Sequence, residues 1–372
     1  MTATIQELLK IAVDRDASDL HLTTYIPPML RIHGVLTSLE HPPLTPSETK
    51  SLLYSLLTDR QKKQFEETYE LDFSFGIKEL GRFRGNAFLQ KGAVAAAFRR
   101  LQSADLDFAN LGIPHRVAQI CHLPRGLILV TGPTGSGKST TLACMIDYIN
   151  RERGVHIVTV EDPIEYFFTP KSSIINQREL LVDTLSFPNA LRAVLREDPD
   201  VVLVGEMRDL ETTEATLRVA ETGHLTFSTL HTNSAVESVS RIIDVFPAQY
   251  QTQVRVMLSM SLTAVLSQAL IPHKNGKERV LAMEILVPNA AIKNLIRENK
   301  IHQIYASMQM GQEKHGMMTF NQSLANLYFK GVITLETAMN VTHKPEELTD
   351  ILQRREGEKV SSANFIPPNL RK

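Results

Sequence analysis

Residues 126–141 read Gly-Leu-Ile-Leu-Val-Thr-Gly-Pro-Thr-Gly-Ser-Gly-Lys-Ser-Thr-Thr. Residues 127–130 are a short apolar run of the kind a buried strand makes. Residues 132–139 then form a complete P-loop, and residues 140–148 are expected to continue as a helix. The glycines permit backbone angles that a side chain would forbid. Loop amides and the helix N-terminus then face the phosphates of a ligand. Lys138 supplies a positive charge for the β- and γ-phosphates, and the Ser139 hydroxyl can bind Mg²⁺. The strand–loop–helix order predicts binding of a nucleoside triphosphate, ATP, through Gly132, Pro133, Thr134, Gly135, Ser136, Gly137, Lys138, Ser139 and Thr140.

At 372 residues the chain is long enough for two domains, and 43% hydrophobic content suffices for sizeable cores. A formal net charge of −1 gives no global pull toward nucleic acid. The two cysteines, Cys121 and Cys144, form no CxxC pair, which argues against zinc and suits a reducing compartment. The N-terminal stretch lacks a signal-peptide core, and no apolar run approaches the roughly 18 residues of a membrane span. The expected location is therefore cytoplasmic, with any membrane role passing through a partner.

Upstream of the P-loop, residues 4–14, 45–57 and 61–67 have helical spacing, with Thr45 or Ser47 as a cap and Glu48 near N3. Residues 17–22, 29–36, 71–75, 81–88 and 93–98 have strand character. The strand at 81–88 places Arg82, Arg84 and Asn86 on one face and Phe83 and Ala87 on the other. Together these suggest a small α+β domain over 1–101, followed by a linker at 102–115. Downstream, apolar strands at 155–160, 201–206 and 225–230 alternate with helices at 186–196 and 210–222. Such alternation indicates an α/β fold with a mostly parallel sheet, over 116–290. Ligands gather at the carboxyl ends of such strands. Helix is expected over 254–270 and through a C-terminal helical region at 291–355, with a loose charged tail from 354–356 to 372.

Several side chains sit where chemistry would need them. Glu206 closes an apolar strand in the manner of a Walker B carboxylate and could bind Mg²⁺ directly, through water, or by orienting Ser139. Glu161, Asp162 and Glu165 cluster at a second strand end, where a carboxylate could orient or deprotonate the attacking water. Spacing alone does not choose among the three. His224 and His231 lie seven residues apart, so an alternating strand puts them on opposite faces. His231 is at the carboxyl end and could sense a γ-phosphate; His224 is at the other end, with its role open. Arg82, Arg84, Arg99 and Arg100 form a basic group that could act on a triphosphate or simply face solvent.

These stretches in this order resemble the secretion ATPase superfamily. Residues 132–139, Glu161-Asp162-Pro163-Ile164-Glu165, residues 195–200 with the Glu206 strand, and residues 223–233 correspond to its Walker A, Asp box, Walker B and His box. Within it the chain is similar to the type IV pilus retraction ATPases. The N-terminal part is short, the tetracysteine zinc motif of the assembly ATPases is absent, and residues 291–298, Ala-Ile-Lys-Asn-Leu-Ile-Arg-Glu, are similar to the AIRNLIRE motif. Lys293 replaces an arginine there, which keeps the charge and loses the guanidinium fork.

The resemblance implies a PAS-like N-terminal domain, a RecA-like ATPase domain and a homo-hexamer. It implies Glu165 as the catalytic glutamate, Glu206 as the Walker B residue, His231 as monitor of the γ-phosphate, and Arg84 and Arg99 as arginines reaching the phosphates. The implied activity is hydrolysis of ATP with Mg²⁺, driving pilus retraction through an inner-membrane platform protein, with a homologous accessory ATPase as a further partner. The alternatives are a pilus assembly or type II secretion ATPase, and a non-motor ATP-binding subunit. A nucleic-acid motor is disfavoured, because the chain has no Trp and an even charge balance.

Overall fold

A computed structural model describes residues 3–103, 106–310 and 316–363. It separates into two compact units: Met1–Ser103 with Glu165–Phe167, and Ala104–Ile164 with Phe168–Lys372.

The first unit opens with α1 (Ile5–Asp14), then β1 (Asp19–Leu22), β2 (Met29–Ile32) and β3 (Val35–Ser38). Next come α2 (Pro46–Tyr54), α3 (Asp59–Thr68), β4 (Glu70–Ile77), β5 (Gly81–Gln90) and β6 (Ala93–Arg100). Each helix starts at a threonine whose hydroxyl accepts from the N3 amide while the N3 side chain reaches back, at Thr4/Glu7, Thr45/Glu48 and Thr58/Gln61. The strands form a six-stranded antiparallel sheet in the order β3-β2-β1-β6-β5-β4. One face carries a core of Leu20, Phe83, Ala87 and Phe98 under α1 and α2. The alternation along β5 is as its spacing predicts, with Phe83 and Ala87 buried. A short strand β7 (Gln102–Ser103) pairs in parallel with β10 (Tyr166–Phe167), so the three residues from Glu165 to Phe167 belong with this unit rather than with the sequence around them.

The second unit begins with α4 (His115–Cys121), β8 (Gly126–Thr131), α5 (Lys138–Glu152) and β9 (His156–Glu161). It continues through β11 (Ile174–Glu179), α6 (Phe187–Val194), β12 (Val201–Val204), α7 (Leu210–Glu221), β13 (Leu225–Leu230) and α8 (Ala235–Asp244). After α9 (Ala248–Ser261) come β14 (Leu262–Pro272), β15 (Arg279–Leu286) and α10 (Ala290–Arg297). A 3₁₀ turn (Ile301–Gln303), α11 (Ile304–Met310), α12 (Phe320–Phe329), α13 (Leu335–Val341) and α14 (Pro345–Ala363) complete it. The sheet order is β11-β9-β12-β13-β8-β14-β15, parallel except for β15. Every residue of β8, β12 and β13 is buried, as expected of parallel strands covered on both faces. This is the α/β architecture that the alternation of strands and helices predicts.

Two expectations fail at the C-terminal side. Residues 262–270 are not helix: α9 ends at Ser261 and the chain enters β14, parallel to β8. A strand buried on both faces shows a continuous apolar run, which periodicity cannot distinguish from a buried helix. Here the free pairing edge of β8 decides. Nor is the chain loose from residue 354, since α14 runs to Ala363. Leu348 and Leu352 bury into a cluster with Ile271 and Leu324, and Arg355 donates from Nη1 to Asn326 Oδ1 at 2.6 Å. Residues 364–372 of the expected tail, and residues 104–105 of the expected linker, lie outside the described residues. Among the described residues no helix is long and apolar enough to cross a membrane.

Candidate active site

The parallel register brings the carboxyl ends of β8, β9, β12 and β13 to one edge: Thr131 pairs with Leu230, and Val204 with both Ser228 and Val160. The P-loop, Glu161, Glu206 and His231 leave the sheet there. The loop's shape is a backbone property. Gly132, Gly135 and Gly137 have φ of +141°, +77° and +87°, a region that disfavours side chains. A Cβ on Gly132 would lie 2.3 Å from the Gln268 carbonyl oxygen.

Lys138, the first residue of α5, donates from Nζ to the carbonyls of Gly132 (2.8 Å) and Pro133 (3.1 Å). Its Nζ also lies 3.4 Å from His231 Nδ1. The other imidazole nitrogen, Nε2, lies 3.0 Å from Glu206 Oε1. A neutral imidazole protonated at Nε2 satisfies both contacts, donating to Glu206 and accepting from Lys138. Glu206 Oε2 is met by Arg208 Nε at 2.9 Å. The structure therefore joins Lys138, His231 and Glu206, from three separate segments, in one continuous chain of contacts.

Nucleotide fits this edge on two counts. The Ser136 hydroxyl and the Gln268 Oε1 oxygen are buried without a hydrogen-bond partner, which is costly unless a ligand completes them. The loop also curves where only glycines fit. Ser139 and Glu206 are the residues that would hold Mg²⁺; both Glu206 oxygens keep a lone pair beyond their present donors. Among the described residues no three His, Cys, Asp or Glu side chains form a metal cluster, so Mg²⁺ here would draw most of its oxygens from phosphate and water.

Within the acidic cluster the three carboxylates separate. Glu161 is buried and accepts from Thr159 Oγ1 (2.6 Å) and Gln177 Nε2 (3.3 Å). Asp162 and Glu165 are exposed. Among the described residues the Glu165 carboxylate makes no hydrogen bond or ion pair, and it belongs to the first unit, next to β10 in sequence.

The basic group lies on the first unit's sheet. Arg84 on β5 and Arg99 on β6 are register partners, and Arg100 is opposite Phe83. Arg99 Nε donates to Asp19 Oδ1 at 2.8 Å, and Arg84 Nη2 lies 3.5 Å from Asp72 Oδ1. Arg82 stacks over Phe167 at 5.6 Å and points Nη2 at Ser74 Oγ (3.4 Å). His224 stays apart from the site: its Nδ1 donates to the Val219 carbonyl at 3.0 Å, at the end of α7. In the stretch at 195–200, Arg178 Nη1 meets Glu197 Oε1 (2.9 Å) and Asp200 Oδ2 accepts from His156 N (2.9 Å). Asn289 caps α10, the helix carrying Lys293, by accepting from Ile292 N at 3.0 Å.

Three residues at this edge carry no motif. Gln268 on β14 donates from Nε2 to the Ser136 carbonyl at 2.7 Å and so holds the P-loop from outside. Glu179, at the end of β11, accepts from Ile164 N at 3.4 Å and steadies the loop leaving β9. Arg208 engages Glu206. Gln268 had one available signal, a polar residue inside the apolar run of 262–271.

The family model for Type II/IV secretion system protein matches residues 1–340. The chain is 49% identical over 342 residues to the type IV pilus retractation ATPase PilT of Pseudomonas aeruginosa, covering 92% of this chain and 99% of that one. It is 48% identical over 345 residues to the twitching motility protein of Neisseria gonorrhoeae, covering 93% and 92%. A crystal structure of the pilus retraction motor PilT with bound ADP superposes with a TM-score of 0.87 at 54% identity, covering 94% of this chain and 99% of that one.

Proposed function

From the premise that the chain belongs to the Type II/IV secretion system protein family, we propose that it hydrolyses ATP to drive retraction of a type IV pilus. The near full-length similarity to a pilus retraction ATPase carries this reading. The contacts linking Lys138, His231 and Glu206 support it.

In this reading the loop amides and Lys138 hold the β- and γ-phosphates, with Lys138 leaving its own loop carbonyls to do so. Glu165 orients and deprotonates the attacking water, which adds to the γ-phosphorus as the bond to ADP breaks, releasing ADP and phosphate. His231 reports γ-phosphate occupancy to Glu206. Arg84 and Arg99 supply positive charge to the transferring group. Mg²⁺, held by Ser139 and Glu206 directly or through water, would neutralise phosphate charge. The working form is a cytoplasmic homo-hexamer that acts on an inner-membrane platform protein and extracts pilin subunits.

Deletion of the gene in its host, with a Glu165→Gln allele as complementation control, tests the reading. Extra surface pili with lost pilus-dependent motility, unrescued by the allele, are expected. Few or no pili would instead mark an assembly motor.

A further inference from the structure

Glu284 is a carboxylate in the core of the second unit, only 3% exposed, on β15. Its Oε1 accepts from the Ala235 amide at 2.7 Å, and the Phe320 amide is near enough to draw its pKa down. These are the first amides of two helices, α8 and α12. The capping side chains of those helices are occupied one turn further in, Ser234 by Glu237 N and Thr319 by Gln322 N. Glu284 thus takes up the Ala235 amide that the Ser234 cap leaves over, near the N-termini of two helices whose dipoles present positive charge. Burial pushes its pKa up, while the two amides and nearby Lys344 draw it back; Glu347 opposes them. Tyr305, hydrogen-bonded to Glu347 at 2.7 Å, completes the surrounding ionisable groups.

The role of this carboxylate follows from what α8 carries. His231 to Ser234 span the gap between the end of β13 and Ala235. The run is moored to α8: Thr232 Oγ1 meets Ser238 Oγ at 2.7 Å, and Asn233 N donates to Glu237 Oε2 at 2.8 Å. The start of α8 is in turn held by Glu284. The same hairpin holds the P-loop, since Ser267, register partner of Glu284, precedes Gln268.

We propose that Glu284 is a positioning residue for His231, fixing through the first amide of α8 the distance of the imidazole from Lys138 and Glu206. This rests on the reading of His231 given above. Glu284→Gln keeps the side chain's size but turns an amide NH₂ toward one of the two backbone donors, leaving that donor unpaired.

The test is a double-mutant cycle on the full-length protein, reading ATP turnover and binding of a non-hydrolysable ATP analogue. Glu284→Gln should lower turnover roughly ten- to a hundredfold, as a misplacement of about 1 Å does, while analogue affinity stays within about threefold. In a His231→Ala background the same change should add less than about twofold, because the coupled partner is already gone. Equal losses in both backgrounds, or wild-type turnover in Glu284→Gln, would overturn the proposal alone. Wild-type turnover in His231→Ala would overturn the His231 reading and the proposal with it. Should Glu284→Gln not fold, Ser238→Ala releases the same run at its other mooring. It should lower turnover about threefold, and not at all in His231→Ala; a loss in both backgrounds would again overturn the proposal.

Discussion

The two sheets present polar groups to solvent by opposite means. At the edge of the seven-stranded sheet the pattern is written in the backbone: three left-handed glycines, carbonyls that hold Lys138, and a glutamine that grips the Ser136 carbonyl. On the six-stranded sheet it is written in long side chains. A register row crosses β2, β1, β6 and β5 as Arg31, Asp19, Arg99 and Arg84, with one buried carboxylate among three arginines. A backbone cradle is local, and its tolerances show in the residue types. A side-chain row depends on pairing between distant segments, and Asp19 lies 80 residues from Arg99.

The largest expected effect tests whether the side-chain row does chemistry at all. Arg99→Ala or Arg84→Ala should lower ATP turnover on the order of 10³-fold, the lower bound for a phosphate-stabilising arginine. Arg99→Lys should recover little, since the ammonium lacks the fork. Unchanged turnover would reduce the row to a solvated surface and break the comparison. The backbone cradle comes next. Gly132→Ala places a Cβ 2.3 Å from a carbonyl oxygen in a strained conformation, and nucleotide affinity should fall roughly a hundredfold by titration. Gln268→Leu keeps the glycines but strands the Ser136 carbonyl, at about 1–2 kcal/mol, so affinity should fall about tenfold. If both substitutions bind normally, the cradle is not held as described.

A smaller effect sharpens the electrostatics of the row. Burial would raise the Asp19 pKa, yet hydrogen bonds from Arg99 and Ser18 hold it below the usual carboxylate range. A lowered folded-state pKa gives stability that is complete above the unfolded value of about 4 and is lost as pH falls through the lowered one. Asp19→Asn should therefore remove up to about 1 kcal/mol of the stability difference between pH 5 and pH 3 in urea titrations. An identical acid loss in the variant would assign it elsewhere. Least of all, Lys62→Ala, which breaks an exposed pair with Asp59, should leave the urea midpoint unchanged within about 0.5 kcal/mol.

The same contrast decides what the sequence makes legible. The P-loop and the strands ending at Glu206 and His231 were legible because parallel strands and glycine turns restrict residue choice locally. Residues 262–270 look helical in sequence because a doubly buried strand loses its alternation, and only the pairing edge of β8 identifies them as a strand. Gln268, Glu179 and Glu284 were invisible because their partners lie 132, 15 and 49 residues away. The carboxylates Glu161, Asp162 and Glu165 look alike in sequence. Burial separates the first, committed to Thr159, from the exposed pair.

The span from Ser136 to Gln268 also bears on how the protein is made. A nascent chain that has emerged only as far as α9 already carries every recognised phosphate motif. It lacks the strand that pairs beside β8 and the amide that fixes the loop. Nucleotide capture should therefore arrive late in synthesis, after the β14–β15 hairpin clears the ribosome. A bound nucleotide would then mark a chain in which β14 has paired beside β8 and Gln268 has reached the loop.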